Sequence, residues 1–281
     1  MREINLSTVT QTVAELFLKA NYVIGQDVMD ALDASARQET SPLGKHVLEQ
    51  LMENNRAGAE ESLCVCQDTG LSVVFLTIGQ EVHLTGGSLE EAVNAGVRKA
   101  YTEGYLRKSV VAEPLFDRKN TGDNTPCVIH TRIVPGDRLH ILAIAKGFGS
   151  ENMSRLAMLT PAAGVEGVSD FIVETVRLAG PNPCPPLVVG VGIGGSFELA
   201  ALMAKRATSL PLTRRNKNPE YAALEDGLLA RINALGIGPA GYGGATTALK
   251  VHIISAPTHI AGLPVAVNIC CHVARHAEAT L

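Results

Sequence analysis

The chain has 281 residues, 46% of them hydrophobic and 19% charged, with a formal net charge of −4. That size allows one large domain or two modest ones around a sizeable core. The charge argues against non-specific binding to nucleic acid or acidic membranes, both of which want a basic face. No segment reaches the roughly 18 apolar residues of a membrane span. Met1 to Thr12 lacks the cationic stretch and apolar core of a signal peptide, so a cytoplasmic location is expected. In that compartment the six cysteines (64, 66, 127, 184, 270 and 271) are expected as core residues, metal ligands or catalytic groups rather than disulfides.

Residues 5 to 58 read as helical. Ser7 is the expected N-cap of a first helix, with Val9, Val13, Leu16, Phe17 and Ala20 on one stripe. A second helix is predicted from about Asp27 to Gln38. Ser41 followed by Pro42 signals a third, whose buried face is Val47, Leu48, Leu51 and Met52. Asn54, Asn55 and Gly58 are expected to end it. The character changes near residue 60, which predicts a helical lobe over 1–60 and a mixed α/β region over 61–281.

Cys64-Val65-Cys66-Gln67-Asp68-Thr69-Gly70 opens that second region and leads into a strand-like run, Leu71 to Ile78. Ser88 and Glu91 form a capping box for a helix from Leu89 to about Tyr101, stopped by Gly104. Residues 107 to 125 are polar, rich in turn formers and without periodicity; a connection that long favours a functional loop. Cys127–Val134 and Arg138–Lys146 are β-rich, and Pro135-Gly136-Asp137 between them predicts a hairpin.

Lys146-Gly147-Phe148-Gly149-Ser150-Glu151-Asn152 follows as a turn whose free N–H groups can hold an anion, or as a plain strand-to-helix turn. A helix is predicted from about Val165 to Leu178. A proline-rich bend around Cys184 then precedes a short buried strand, Leu187 to Gly190. Gly192-Ile193-Gly194-Gly195-Ser196 feeds a helix from Phe197 to Ala207; its spacing and order do not fit a dinucleotide fingerprint. Leu210 to Asn218 reads as a solvated basic loop, and Pro219 opens a helix to about Leu235. Ala248–Ser255 and Leu263–Ile269 are strand-like, the latter closing on Cys270-Cys271-His272. Helices and strands are interspersed without a βαβ series. The expected fold is therefore mixed α/β, a helical N-terminal lobe followed by an α+β core.

Cys64 with Cys66, Cys184, and Cys270 with Cys271 lie more than 80 residues apart from one group to the next, so no compact zinc motif applies. Thiolates at strand edges can still converge, and three without a fourth suggest a metal or cluster with an open position. An inert, buried set of cysteines is the competing reading.

Several separate motifs, in order along nearly the whole chain, narrow this. They are Cys66-Gln67-Asp68-Thr69-Gly70, Leu106-Arg107-Lys108-Ser109-Val110-Val111, Asn120-Thr121-Gly122-Asp123-Asn124-Thr125-Pro126 and Lys146-Gly147-Phe148-Gly149-Ser150-Glu151-Asn152. Cys184-Pro185-Pro186 and Leu263-Pro264-Val265-Ala266-Val267-Asn268 leading to Cys271-His272 complete the set. The chain resembles the alpha subunit, or N-terminal catalytic region, of the iron–sulfur class I fumarate hydratases and L-tartrate dehydratases.

That resemblance implies a [4Fe–4S] cluster held by Cys66, Cys184 and Cys271, with a fourth iron open to substrate. Cys64, two residues along, competes with Cys66 for the same side of an extended chain; Cys270 should face away from Cys271. Cys127 is expected as a buried strand cysteine. The implied reaction is reversible hydration of fumarate to (S)-malate, with the open iron taking the substrate hydroxyl. Arg107 would fork onto a substrate carboxylate, Gly149 would offer a backbone N–H, and Gln67 and Asp68 would contact substrate. His259 falls at another family position near the site, with a structural role as the alternative. Lys146 and Arg155 are expected to shape the site. In fused relatives further substrate groups belong to a C-terminal domain. The resemblance therefore implies a separate beta subunit, and a dimer of heterodimers, with full activity only in the assembly. L(+)-tartrate dehydratase is the main alternative within this chemistry. A non-catalytic assembly subunit with inert cysteines is the alternative outside it.

Overall fold

The computed structural model describes residues 1–281. In chain order the elements are β1 (Arg2–Asn5), α1 (Leu6–Tyr22), α2 (Gln26–Gln38), α3 (Pro42–Glu61), β2 (Leu71–Gly79), β3 (Val82–Thr85) and α4 (Leu89–Glu103). There follow β4 (Val128–Val134), β5 (Leu139–Lys146), α5 (Phe148–Glu151), β6 (Arg155–Leu159), α6 (Gly164–Ala179), β7 (Leu187–Gly194) and α7 (Phe197–Ala207). The last are α8 (Pro219–Asn233), β8 (Ala248–Ala256), β9 (Leu263–Cys270) and β10 (His276–Thr280). The architecture is mixed α/β, with α1–α3 preceding a core of interspersed strands and helices, as the sequence predicts.

The chain forms two compact units, each assembled from separated stretches. The first comprises 1–24, 55–148 and 275–281; the second comprises 25–54 and 149–274. The leading helices are thus shared out: α1 belongs to the first unit, α2 and most of α3 to the second.

In the first unit a four-stranded sheet has the order β10-β5-β2-β4. α1 and α4 cover one face, where Val9, Val13, Phe17, Val93, Val97 and Tyr101 pack on Val74, Leu76, Ile141 and Ala143. These side chains come from the predicted helical stripe and from alternate strand positions, the arrangement that removes most apolar surface from water. Asn5, rather than Ser7, caps α1: its side chain accepts from the Ser7 N–H at 2.9 Å. Ser88 caps α4 as expected, its hydroxyl accepting from the Glu91 N–H at 3.5 Å.

The predicted hairpin does not form. β4 pairs in parallel with β2, and β5 pairs antiparallel with β2 on its other side. The Pro135-Gly136-Asp137 turn instead carries the chain round the end of β2. There Gly79 N–H donates to Arg138 O at 2.8 Å and Gln80 N–H to Val134 O at 2.8 Å. Gly58 does not end α3 either; the helix runs on to Glu61. A Cβ at Gly58 would stand 2.6 Å from a Val65 methyl, so the glycine lets the Val65 side chain pack against the helix.

In the second unit the sheet order is β6-β9-β7-β8. α6 and α8 bury Val168, Ile172, Val176, Leu228 and Ile232 against Val189, Val191, Val251, Ile253 and Val267. The opposite face meets α7 through Ala200, Ala204 and Ala266. β7 extends to Gly194, beyond the predicted end at Gly190. The reason is steric: a Cβ on Gly190 would lie 2.2 Å from Ala204 O, and one on Gly192 2.1 Å from Ala200 O. Alternate glycines let the helix backbone rest directly on the strand, and no nucleotide loop is needed to account for them.

Glu39, at the end of α2, accepts backbone N–H bonds from Thr40, Ser41, Ala245 and Thr246, tying α2 to the stretch before β8. Burial opposes its charge, but these four donors prevail and hold its carboxyl below the usual range. His252, on β8, is fully buried, and neither ring nitrogen has a hydrogen-bond partner. Burial pulls its pKa down to about 4, helped by the charges of Lys250 and Arg214 and opposed by the nearby carbonyls of Pro211 and Leu210.

A lowered histidine pKa in the folded state means stability that is complete above the unfolded value near 6.5 and is lost as pH falls through about 4. Between pH 7 and 4 the loss from His252 should be about 3 kcal/mol. Denaturant midpoints of wild type and His252→Asn across that range check this; parallel pH curves would refute it.

Candidate active site

The candidate residues fall in both units: Cys66, Gln67, Asp68 and Arg107 in the first, Gly149, Cys184, His259 and Cys271 in the second. In the first unit the cysteine loop is pinned at Val65, Asp68, Thr69 and Gly70. Val65 N–H donates to Asn21 O at 3.0 Å. Thr69 Oγ1 donates to Arg107 O at 2.9 Å, which joins the cysteine loop to the arginine loop. The buried Tyr101 hydroxyl lies 2.7 Å from Thr69 O and 3.0 Å from Gly70 O. Asn124, also buried, donates from Nδ2 to Gly70 O at 3.2 Å and accepts the Ser109 N–H at 2.8 Å. Gly70 has φ +86°, and a Cβ there would stand 2.7 Å from the Ala145 carbonyl carbon and Lys146 N. No other residue fits that position without displacing β5.

Asp68 is half-buried, and both its oxygens are engaged. Oδ1 accepts the Gly70 N–H at 3.0 Å, and Oδ2 accepts the Phe148 N–H at 2.7 Å. The carboxylate is held by backbone donors alone, so its orientation follows from the loop and from the start of α5. Gln67 and Arg107 are exposed. A pocket of about 440 Å³ opens beside Asp68. Leu71, Val110, Val111 and Phe148 give it a largely apolar wall, and Arg118 supplies a cation. The predicted functional loop is therefore a wall of a real cavity. Its 113–117 turn is fixed by the Glu113 carboxylate, which accepts the N–H groups of Leu115 and Asp117 at 2.8 and 3.1 Å.

In the second unit Cys184 and Cys271 lie at the same end of the sheet. Cys184 precedes β7 with φ +55°; Cys271 follows β9, whose Cys270 stands opposite Val188. His272 Nδ1 is 3.1 Å from Cys184 O, linking the two cysteine segments. His259 is elsewhere. Its loop joins β8 to β9 at the other end, where Thr258 Oγ1 donates to Gly195 O at 2.9 Å. The eight residues of β7 therefore separate it from the cysteine end, about 25 Å at 3.2–3.4 Å per residue. Its Nδ1 accepts the Ala261 N–H at 3.2 Å, a local turn contact. Gly149 is exposed, one residue into α5. Lys146 is almost wholly buried at the end of β5, and Arg155 stacks over the Phe171 ring at 5.3 Å.

The six cysteines differ in their surroundings, and none is in a disulfide. Cys127 and Cys270 are buried. Burial pushes the Cys127 thiol far up, and its Sγ donates to Ser72 O at 3.3 Å, the behaviour of an inert core cysteine. Cys64 packs against the first core, and burial also raises its thiol, opposed by Arg275. Cys66 and Cys271 are half-buried and Cys184 is exposed. As a donor set, three accessible thiols suit a soft metal or an iron–sulfur cluster. Neither unit by itself groups three His, Cys, Asp or Glu side chains at metal-ligating distances.

Sequence reasoning missed Tyr101, Asn124 and Arg275, all buried around the cysteine loop. The one signal was positional. Asn124 sits in a turn-rich stretch where a side chain must replace backbone partners, and Arg275 interrupts an apolar run after Cys271-His272.

A family model described as fumarate hydratase (Fumerase) matches residues 10–280. A protein of Methanocaldococcus jannaschii, provisionally named L(+)-tartrate dehydratase subunit alpha, is 41% identical over 96% of this chain and 96% of its own length. The L(+)-tartrate dehydratase subunit alpha of Escherichia coli K12 is 34% identical over 95% of this chain and 88% of its own. A Shigella sonnei protein of the same name matches to the same extent. The fold and site thus belong to a hydro-lyase type of protein. The chain is a member of the Fumerase family, which takes in both class I fumarate hydratases and L-tartrate dehydratase alpha subunits.

Gly70→Ala should destabilise the protein by about 3 kcal/mol, because a methyl would combine positive-φ strain with a backbone clash. Chemical denaturation checks this; a loss below about 0.5 kcal/mol would show that β5 yields freely at that point.

Proposed function

We propose that the chain is the alpha subunit of an L(+)-tartrate dehydratase, which removes water from the dihydroxy diacid to give oxaloacetate. The observation that carries the reading is identity of 34–41%, over nearly the full length of both chains, to proteins bearing that name. Fumarate hydratase, the sequence-based expectation, rested on which activity is commonest in the family; the relatives' names favour its alternative. Fumarate hydration stays as the second reading because the family model carries that description.

In this reading Cys66, Cys184 and Cys271 hold a [4Fe–4S] cluster. When bound, the cluster supplies a Lewis acid for the departing hydroxyl. The chain's own residues do the rest. Arg107 pairs with one substrate carboxylate, as a guanidinium does best with two parallel N–H bonds. The Gly149 N–H and the Gln67 amide contact the substrate's oxygens. Asp68, held at both oxygens by backbone donors, moves a proton at the carboxylate. The apolar wall of Leu71, Val110 and Val111 keeps water away from the reacting face. His259, at the end of its own sheet opposite the cysteines, is given no step in this reading. A separate beta subunit supplies the remaining substrate contacts, and the working form is a heterotetramer that loses activity in oxygen.

The test is anaerobic co-purification with the beta subunit, iron and sulfide analysis, and turnover of L(+)-tartrate, malate and fumarate. About four irons and four sulfides per chain with tartrate turnover supports the reading. Malate turnover alone transfers it to fumarate hydratase. No iron after anaerobic reconstitution defeats the cluster. Cys184→Ala should lose iron and at least 100-fold in kcat, while Cys127→Ala keeps both.

A further inference from the structure

Arg275 is 3% exposed, yet one hydrogen bond secures its side chain: Nη1 donates to Asn21 Oδ1 at 3.0 Å. A guanidinium carries five N–H donors. Leaving it inside a protein with so few partners is expensive unless a negative group faces it. Its backbone is fixed, since the Ala145 N–H donates to Arg275 O at 3.1 Å just before β10 begins.

What it faces is the cysteine loop. A Cβ built on Gly147 would stand 3.1 Å from Arg275 Nη2 and 3.3 Å from Asp68 Oδ2. The guanidinium and the carboxylate therefore look at each other across the bare Cα of Gly147. They make no ion-pair contact, and each Asp68 oxygen takes one backbone N–H donor. The Tyr101 hydroxyl also feels this charge, which opposes the rise that burial imposes on it.

Resting on the proposed function, we propose that Arg275 is a positioning residue. Its buried guanidinium is the counter-charge that keeps the Asp68 carboxylate, and the Cys64–Gly70 loop with it, in the arrangement the reaction uses. It does so without touching the substrate. Gly147 is glycine so that nothing stands between the two charges.

The experiment is a double-mutant cycle on the alpha–beta enzyme. Arg275→Met keeps the length and apolar stem and removes the charge. It should lower kcat about 100-fold with KM within twofold, since a positioning group does not bind substrate. In an Asp68→Asn background the same change should cost less than threefold, because there is no carboxylate left to hold. Equal losses in both backgrounds would overturn the proposal and leave Arg275 a packing residue. Should Arg275→Met fail to fold, Gly147→Ala places a methyl between the charges and leaves both in place. It should also lower kcat at constant KM, and unchanged kcat would overturn the proposal. If wild type turns over no diacid, the proposed function fails on its own. Denaturant midpoints of the four cycle proteins then decide the coupling: a non-additive pair supports it and an additive pair refutes it.

Discussion

The structure around the candidate site depends on one backbone contact: the Thr69-Gly70 turn lying against the end of β5. Gly70 adopts positive φ and approaches Ala145 and Lys146 closer than any side chain would allow. Everything near it takes its bearings from that approach. The turn puts its own N–H on Asp68 Oδ1, presents the Thr69 and Gly70 carbonyls to Tyr101 and Asn124, and sends the Thr69 hydroxyl to the arginine loop. A loop held by so many buried polar bonds is rigid at little cost in unsatisfied groups, and that is what a site with a fixed proton-transfer distance requires.

Much of this was legible in the sequence, for physical reasons that differ from place to place. Helices with a strong apolar stripe and a cap, such as α1 and α4, are nearly self-declaring, because period and termini agree. The loop over 107–125 was legible as well, since so many polar turn formers exclude regular structure. Strand partners were not. Two β-rich runs beside a tight turn suggest a hairpin, but β2 already offered an edge on each side, and pairing is decided by tertiary packing. β10 escaped notice because His276–Thr280 has almost no apolar pattern of its own; it is a strand because β5 has a free edge.

The site was legible as a set of residue types and less so as an arrangement. The Thr69 hydroxyl ties the loop that carries Cys66 and Asp68 to the Arg107 carbonyl, and Cys184 and Cys271 share one end of a sheet. His259 shows the limit of reading position from motif alone. Being a few residues before β9 places it at the start of that strand, and the cysteines stand at its finish. Motif order cannot reveal that a strand's length intervenes. Buried partners are equally hidden: Tyr101 looks like a helix-face aromatic until its hydroxyl is seen against two carbonyls.

The alternating glycines of β7 have a wider consequence. Where side chains separate a helix from a sheet, evolution can adjust the gap by one methyl group at a time. At Gly190 and Gly192 there is no gap to adjust, since main chain meets main chain. That seam is fixed in both spacing and angle, and any substitution there forces the two elements apart as a whole. Diversification in such a scaffold is driven outward to the loops at either end of the strand. The loop before β7 bears Cys184, and the link after it, Gly195-Ser196, runs into α7, so both can vary in sequence without disturbing that seam.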